Sequence, residues 1–130
     1  MTETRTRLEP GPDHSITLAP HTGRVTVRAG ATVLAETSRA LELREAGYPP
    51  VLYVPIADAV GSHLRPSDRH TYCPYKGEAS YYDVVGVGAE DLEGAVWYYP
   101  EPYPAVVDIR DHVAFYPDRV TITTKPQVGL

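Results

Sequence analysis

The chain has one cysteine in 130 residues. That excludes an internal disulfide and any zinc site built from several cysteines. One phenylalanine, one methionine and one tryptophan leave it short of the bulky apolar residues that usually fill a core. No stretch approaches the roughly 20 apolar residues of a membrane-spanning helix. The opening segment MTETRTRLEPGPDH lacks the apolar centre of a secretory signal. A basic stripe is missing too. The net charge is −5, the pI is about 5.4, and the run from Arg65 to Arg69 is broken by Asp68. A nucleic-acid groove needs such a stripe. The expectation is a soluble, cytoplasmic protein with no nucleic-acid or membrane partner.

What is present points to β structure. Ten tyrosines stand against one phenylalanine and one tryptophan, and valine leads the aliphatic residues. Both tyrosine and valine suit a pleated, half-buried surface. Thirteen prolines and ten glycines interrupt helices and imply many turns. With 42% hydrophobic residues the chain can bury one core. Residues 1–13 read as a mobile arm, 14–124 as a single β-rich domain and 125–130 as a frayed tail.

Along that domain, HSITLAP (14–20) alternates and ends in proline, as an edge strand does. RVTVRA (24–29) places Val25 and Val27 on one face and turns at Gly30 into TVLAET (32–37). RALELRE (39–45) and VLYVP (51–55) read as strands. IADAVGSHL (56–64) reads as one or two helical turns that stop before Pro66. ASYYDVV (79–85) and AVWYY (95–99) follow as strands, and a helical turn ends the segment 100–111. HVAFY and RVTITT, on either side of Pro117-Asp118, read as a tight hairpin. The sum is about seven or eight short strands in an open sheet sandwich or a small barrel-like domain.

Five segments, PGPDHSIT, REAGYPPVLYVP, CPYKGEASYYDV, AVWYYPEPYPAV and DHVAFYPDRV, resemble in order the signatures of the domain of unknown function 427 family of bacterial and fungal proteins. The resemblance runs from about Pro10 to Thr124. It implies a mainly β, compact, two-sheet tent-like domain, similar in architecture to methionine sulfoxide reductase B and the ligand-binding domain of cereblon. It implies no activity. Several tent-like relatives hold zinc through paired CxxC motifs, which this chain lacks, so no zinc is carried over. The reductases need a catalytic cysteine late in the sheet, whereas Cys73 stands in another motif, so that activity is not carried over either. Ser15 replaces an expected proline, and Asp58-Ala59 replaces an acidic-valine pair; both departures lie away from the polar centre.

The polar centre is the stretch around Lys76 and Glu78. They flank Gly77 and lead into a strand, where residues two apart share a face, so an ion pair is expected. One reading makes Glu78 a general acid or base and Lys76 the group that polarises a carbonyl. The equal reading is a salt bridge that pins the loop. Arg44 should meet Tyr53 across the AGYPP turn and offer a fork to a carboxylate, or else be satisfied by Glu42 or Glu78. Tyr75, Tyr81, Tyr82, Trp97, Tyr99 and Tyr116 come from separate motifs. A core needing only bulk would use phenylalanine, so they suggest a polar-tipped aromatic cavity, with a wet sheet surface as the alternative. Cys73 and His112 read as structural, and Gly86 and Gly88 do not form a phosphate cradle.

These readings converge on a small-molecule-binding β domain, in its catalytic version a cofactor-independent acid/base enzyme. Its pocket would use Lys76 and Glu78 with Tyr53, Tyr75, Trp97 and Tyr116, and Arg44 nearby. No cofactor or metal is implied. The alternative is a non-catalytic interaction module that uses an edge strand or Pro100–Pro104 to bind a protein or a second copy as a homodimer.

Overall fold

Val25 and Val27 are both buried, while Arg24 and Arg28 on either side of them face solvent. That alternation marks a sheet covered on one side only, and it recurs in the smaller of two antiparallel sheets. The computed structural model describes residues 5–126. Its strands are β1 (Ile16–Pro20), β2 (Arg24–Ala29), β3 (Thr32–Thr37), β4 (Leu41–Glu45) and β5 (Val51–Pro55). They continue as β6 (Leu64–Cys73), β7 (Gly77–Val84), β8 (Leu92–Tyr98), β9 (His112–Phe115) and β10 (Thr121–Lys125). The larger sheet has the order β1-β4-β5-β9-β8-β7-β6, and the smaller has the order β10-β2-β3. The protein is mainly β, with helix limited to 3-10 turns at Ile56–Asp58, Gly61–His63 and Pro104–Ile109. None of these is long or apolar enough to cross a membrane.

The central strands of the larger sheet are buried on both faces. Val54, Val96, Val113 and Phe115 pack against Val25, Val27 and Leu34 of the smaller sheet. Their neighbours Tyr53, Trp97 and Ala114 point the other way, into a second core with Leu43, Tyr81, Tyr99, Val106 and Ile109. Two-sided burial is why VLYVP, AVWYY and HVAFY read as continuous apolar runs without alternation. The Pro104–Ile109 turn caps the second core through Val106 and Ile109, which are fully buried.

HVAFY and RVTITT do not form a hairpin. β9 is paired on one side with β5 and on the other with β8, so it has no free edge to offer β10. Tyr116–Val120 instead turns the chain out of the larger sheet, with Arg119 N–H donating to Tyr116 O at 3.0 Å, and β10 pairs with β2. β6 is the strand that periodicity does not show. It is an edge strand, largely exposed, and Pro66 sits at its irregular start where the pairing with β7 slips before His70. Proline is tolerated there because an edge residue needs no ladder donor on its outer side.

Of the expected arm and tail, residues 1–4 and 127–130 lie outside the described residues. Residues 5–8 run along β6: Leu8 N–H donates to Pro74 O at 2.9 Å, and the Arg5 and Arg7 guanidiniums cover the rings of Tyr72 and Tyr103.

Candidate functional site

Leu41, Leu43 and Glu45 share a face of β4 by strand parity. The first two serve the second core, so Glu45 carries a carboxylate onto an apolar surface. The chain reverses just beyond, at Ala46 with φ 42°, and Tyr48 N–H closes on Glu45 O at 2.8 Å. β5 returns with Leu41 opposite Tyr53, which sets the Tyr53 ring into the same core.

The opposing wall comes from the β6–β7 hairpin. Cys73 pairs with Gly77, and Lys76 N–H donates to Cys73 O at 3.2 Å across the turn. Gly77 has φ 115°, and Lys76 O accepts from Tyr103 N–H at 2.9 Å, so the turn is fastened to the segment after β8. The Lys76 side chain is thereby turned inward.

Its Nζ donates to Glu45 Oε1 at 2.6 Å, and the two side chains are only 10% and 15% exposed. Glu45 Oε2 accepts from His14 Nε2 at 2.7 Å, and the His14 ring stacks on Tyr75 with centroids 4.0 Å apart. Lys76 Nζ also lies 3.5 Å from the free thiol of Cys73. Burial alone would push the Glu45 carboxyl up. The hydrogen bonds and charges of Lys76 and His14 outweigh it and hold the group below the ordinary carboxylate value.

The pair borders a cavity of about 230 Å³ walled by aromatic rings, among them Tyr53, Tyr81, Trp97, Tyr99 and Tyr116. Trp97 Nε1–H donates to the Tyr53 oxygen at 3.4 Å, and Tyr81 shares a hydrogen bond with Thr71 at 2.8 Å. Burial raises Tyr53 and Tyr99 far above the ordinary phenol value, and raises Tyr116 to about 12 with help from its hydrogen bond to Tyr81. These phenols are therefore neutral donors. The Tyr99 hydroxyl has no protein partner among the described residues, and Tyr99 is one of the residues lining the cavity.

Lys76, Tyr53, Trp97 and Tyr116, all expected from the sequence, thus meet in one place. Tyr75 stands behind the site, supporting His14. Glu78 does not join Lys76. Lys76 belongs to the turn and not to β7, and the positive φ of Gly77 breaks the two-residue parity, so Glu78 faces outward. There it pairs with Arg5 at 2.8 Å and approaches His70 at 3.6 Å. Arg44 is also outside: β4 parity opposes it to Leu43 and Glu45, and its Nε donates to Glu42 at 2.9 Å with the side chain 66% exposed. We expect Arg44→Ala to change the unfolding free energy by no more than about 0.5 kcal/mol in urea melts.

The residue that sequence reasoning passed over is Glu45, the true partner of Lys76. Its signal was present: a carboxylate in phase with Leu41 and Leu43. In Pro100–Pro104, Pro100, Glu101 and Pro104 are exposed, while Tyr103 is held at both ends, its N–H by Lys76 O at 2.9 Å and its hydroxyl 2.6 Å from that of Tyr72. His112 Nδ1 bonds its own loop at Arg110 O. Among the described residues no group of three His, Cys, Asp or Glu is placed to hold a metal.

Two antiparallel sheets, with an ion-paired aromatic cavity on the face of the larger one that is turned away from the smaller, define a small β domain. Residues 17–126 match the family model described as domain of unknown function (DUF427), and the chain belongs to that family. Comparison with curated proteins gave no match.

Proposed function

We propose that the protein binds a small molecule in this cavity, with its polar group held between Lys76, Glu45 and the phenol hydroxyls. The observation that carries the reading is a buried lysine–glutamate pair facing an otherwise aromatic cavity. The fold has no energetic need of such a pair, because apolar residues of similar volume generally hold a core as well or better. Nor does a core need tyrosine hydroxyls where phenylalanine would pack.

The same geometry favours binding over acid/base catalysis. Glu45 is kept ionised, and each of its oxygens already accepts a strong hydrogen bond. A general base works best with a proton affinity near the operating pH. Lys76⁺ and Glu45⁻ together form a fixed dipole suited to orienting a polar group. An interaction module built on Pro100–Pro104 is the second reading: Pro100, Glu101 and Pro104 are exposed, and Tyr103 is fastened to Lys76 and Tyr72.

A thermal-shift screen of small polar metabolites on wild type, Lys76→Met and Tyr99→Phe tests the reading. A ligand at about 100 times its Kd stabilises the fold by roughly 2.7 kcal/mol. Tyr99→Phe removes a hydroxyl with no protein partner, so it keeps its stability while affinity falls by up to about tenfold, the worth of one neutral hydrogen bond. Lys76→Met abolishes the shift. A wild-type ligand whose affinity both variants retain would place binding elsewhere and overturn the proposal.

A further inference from the structure

The cavity does not end at its aromatic wall. It shares Tyr48, Pro49 and Trp97 with an adjoining groove of about 450 Å³ that continues over Leu52, Phe115, Pro117 and Ile122. Tyr48, 65% exposed, stands at the junction. Glu45, which borders both spaces, is the only charged residue lining the groove among the described residues. The two spaces together are thus charged at one end and apolar along the rest of their length.

Resting on the cavity reading above, we propose that the ligand is an uncharged amphipathic molecule: a carboxamide head in the cavity and an unbranched hydrocarbon tail in the groove. Charge selects the head. Lys76 is already neutralised by Glu45 at 2.6 Å. A carboxylate head would gain Lys76 but meet Glu45, and an ammonium head would meet the reverse. A carboxamide satisfies both. Its carbonyl accepts from the third N–H of the ammonium, the other two being directed at Glu45 and Cys73, and from the Tyr99 hydroxyl. Its N–H donates to a remaining lone pair of Glu45.

Size and composition select the tail. The cavity, at about 230 Å³, falls below the roughly 300–1,000 Å³ of ordinary ligand sites, and the groove brings the combined space within that range. Pro49, Pro50 and Pro117 stiffen the groove walls, so little ordering cost opposes entry of a flexible chain. Phe115 and Ile122 come from different sheets, so the tail lies where the larger sheet meets the smaller one.

The test is calorimetric titration of the full chain with acetamide, butanamide, hexanamide and octanamide. Affinity should rise about threefold per added methylene, somewhat less than the fourfold of complete burial, because the groove is open on one side. Pro117→Ser and Ile122→Ser, made separately so that one folded variant suffices, should flatten that dependence while leaving butanamide binding within twofold. Lys76→Met should lower affinity at every length. Equal affinity for all lengths would overturn the tail assignment and leave the cavity reading standing. Tighter binding of hexanoate or hexylamine than of hexanamide would overturn the head assignment in the same way. A chain-length dependence untouched in Lys76→Met would show a groove that works without the cavity, and would overturn the proposal. So would a concentration-dependent dimer in sedimentation that Ile122→Ser abolishes, since a second copy would then fill the groove. If no amide binds and no small molecule in the screen stabilises wild type, the cavity reading fails as well.

Discussion

Glu45→Ala should destabilise the protein by about 3 kcal/mol at neutral pH, a drop in Tm on the order of 10 °C for a domain of this size. The substitution strands the Lys76 ammonium in a site where its side chain is only 10% exposed. Removing one member of a buried pair typically costs about 3–5 kcal/mol, and the slight residual exposure here argues for the lower end. His14 loses its acceptor at the same time. The double variant Glu45→Ala, Lys76→Met should be more stable than Glu45→Ala alone, because no uncompensated charge remains. Glu45 also gives the stability a pH dependence of definite sign. Its folded value lies below the ordinary 4.5, so its stabilising effect is complete above that pH and fades as pH falls through the folded value. Urea melts at pH 7, 5 and 3.5 should show the gap between wild type and Glu45→Gln narrowing at the acid end. A Glu45→Ala protein that melts with wild type at pH 7 would remove the pair from any role in the site.

Gly77→Ala should be nearly as costly, at about 3 kcal/mol, and it should also weaken ligand binding by more than tenfold. Gly77 sits at φ 115°, where an L-residue carries roughly 1–3 kcal/mol of backbone strain. An added Cβ would stand 3.2 Å from the carbonyl oxygen of Glu101, backbone against backbone, with no flexible side chain to yield. Relief requires the turn to move away from the 101–103 segment, and the turn carries Lys76. Gly47→Ala is the matched control. Nothing lies within 4 Å of a Cβ there and φ is not positive, so it should be neutral or slightly stabilising. Equal melting of the two variants would show that the Gly77 backbone is free to take another conformation.

The strands that periodicity reveals are those whose neighbours are settled locally. β2, β3, β4 and β5 each follow from alternation or a bounded apolar run, and the Gly30 turn fixes their first pairing. β6 escaped because an exposed edge strand has no buried face to write an apolar pattern. The false hairpin at Pro117-Asp118 arose because nothing local says that both edges of β9 are already taken. The site divides the same way. An excess of tyrosine over phenylalanine announced an aromatic cavity with polar tips, and Tyr53, Trp97 and Tyr116 do line it. The choice of Glu78 as the partner of Lys76 applied strand parity across a glycine whose left-handed backbone cancels it. Glu45 lies 31 residues away and meets Lys76 only because β4 and the β6–β7 turn approach each other in the folded sheet.

The pairing of β10 with β2 joins residues 121–125 to residues 24–28. During synthesis, the smaller sheet therefore stays incomplete until about 100 further residues beyond β2 have been made. Contacts between such distant segments raise contact order and slow folding. In that interval Val25, Val27 and Leu34 have only β3 and the emerging larger sheet to cover them, and β2 presents a free edge to other nascent chains. On the open face of β2, Arg24 is paired with Glu36 of β3 at 2.7 Å, which leaves Arg28, joined later by Lys125 beside Arg24, to set positive charge against stacking of one unfinished sheet on another.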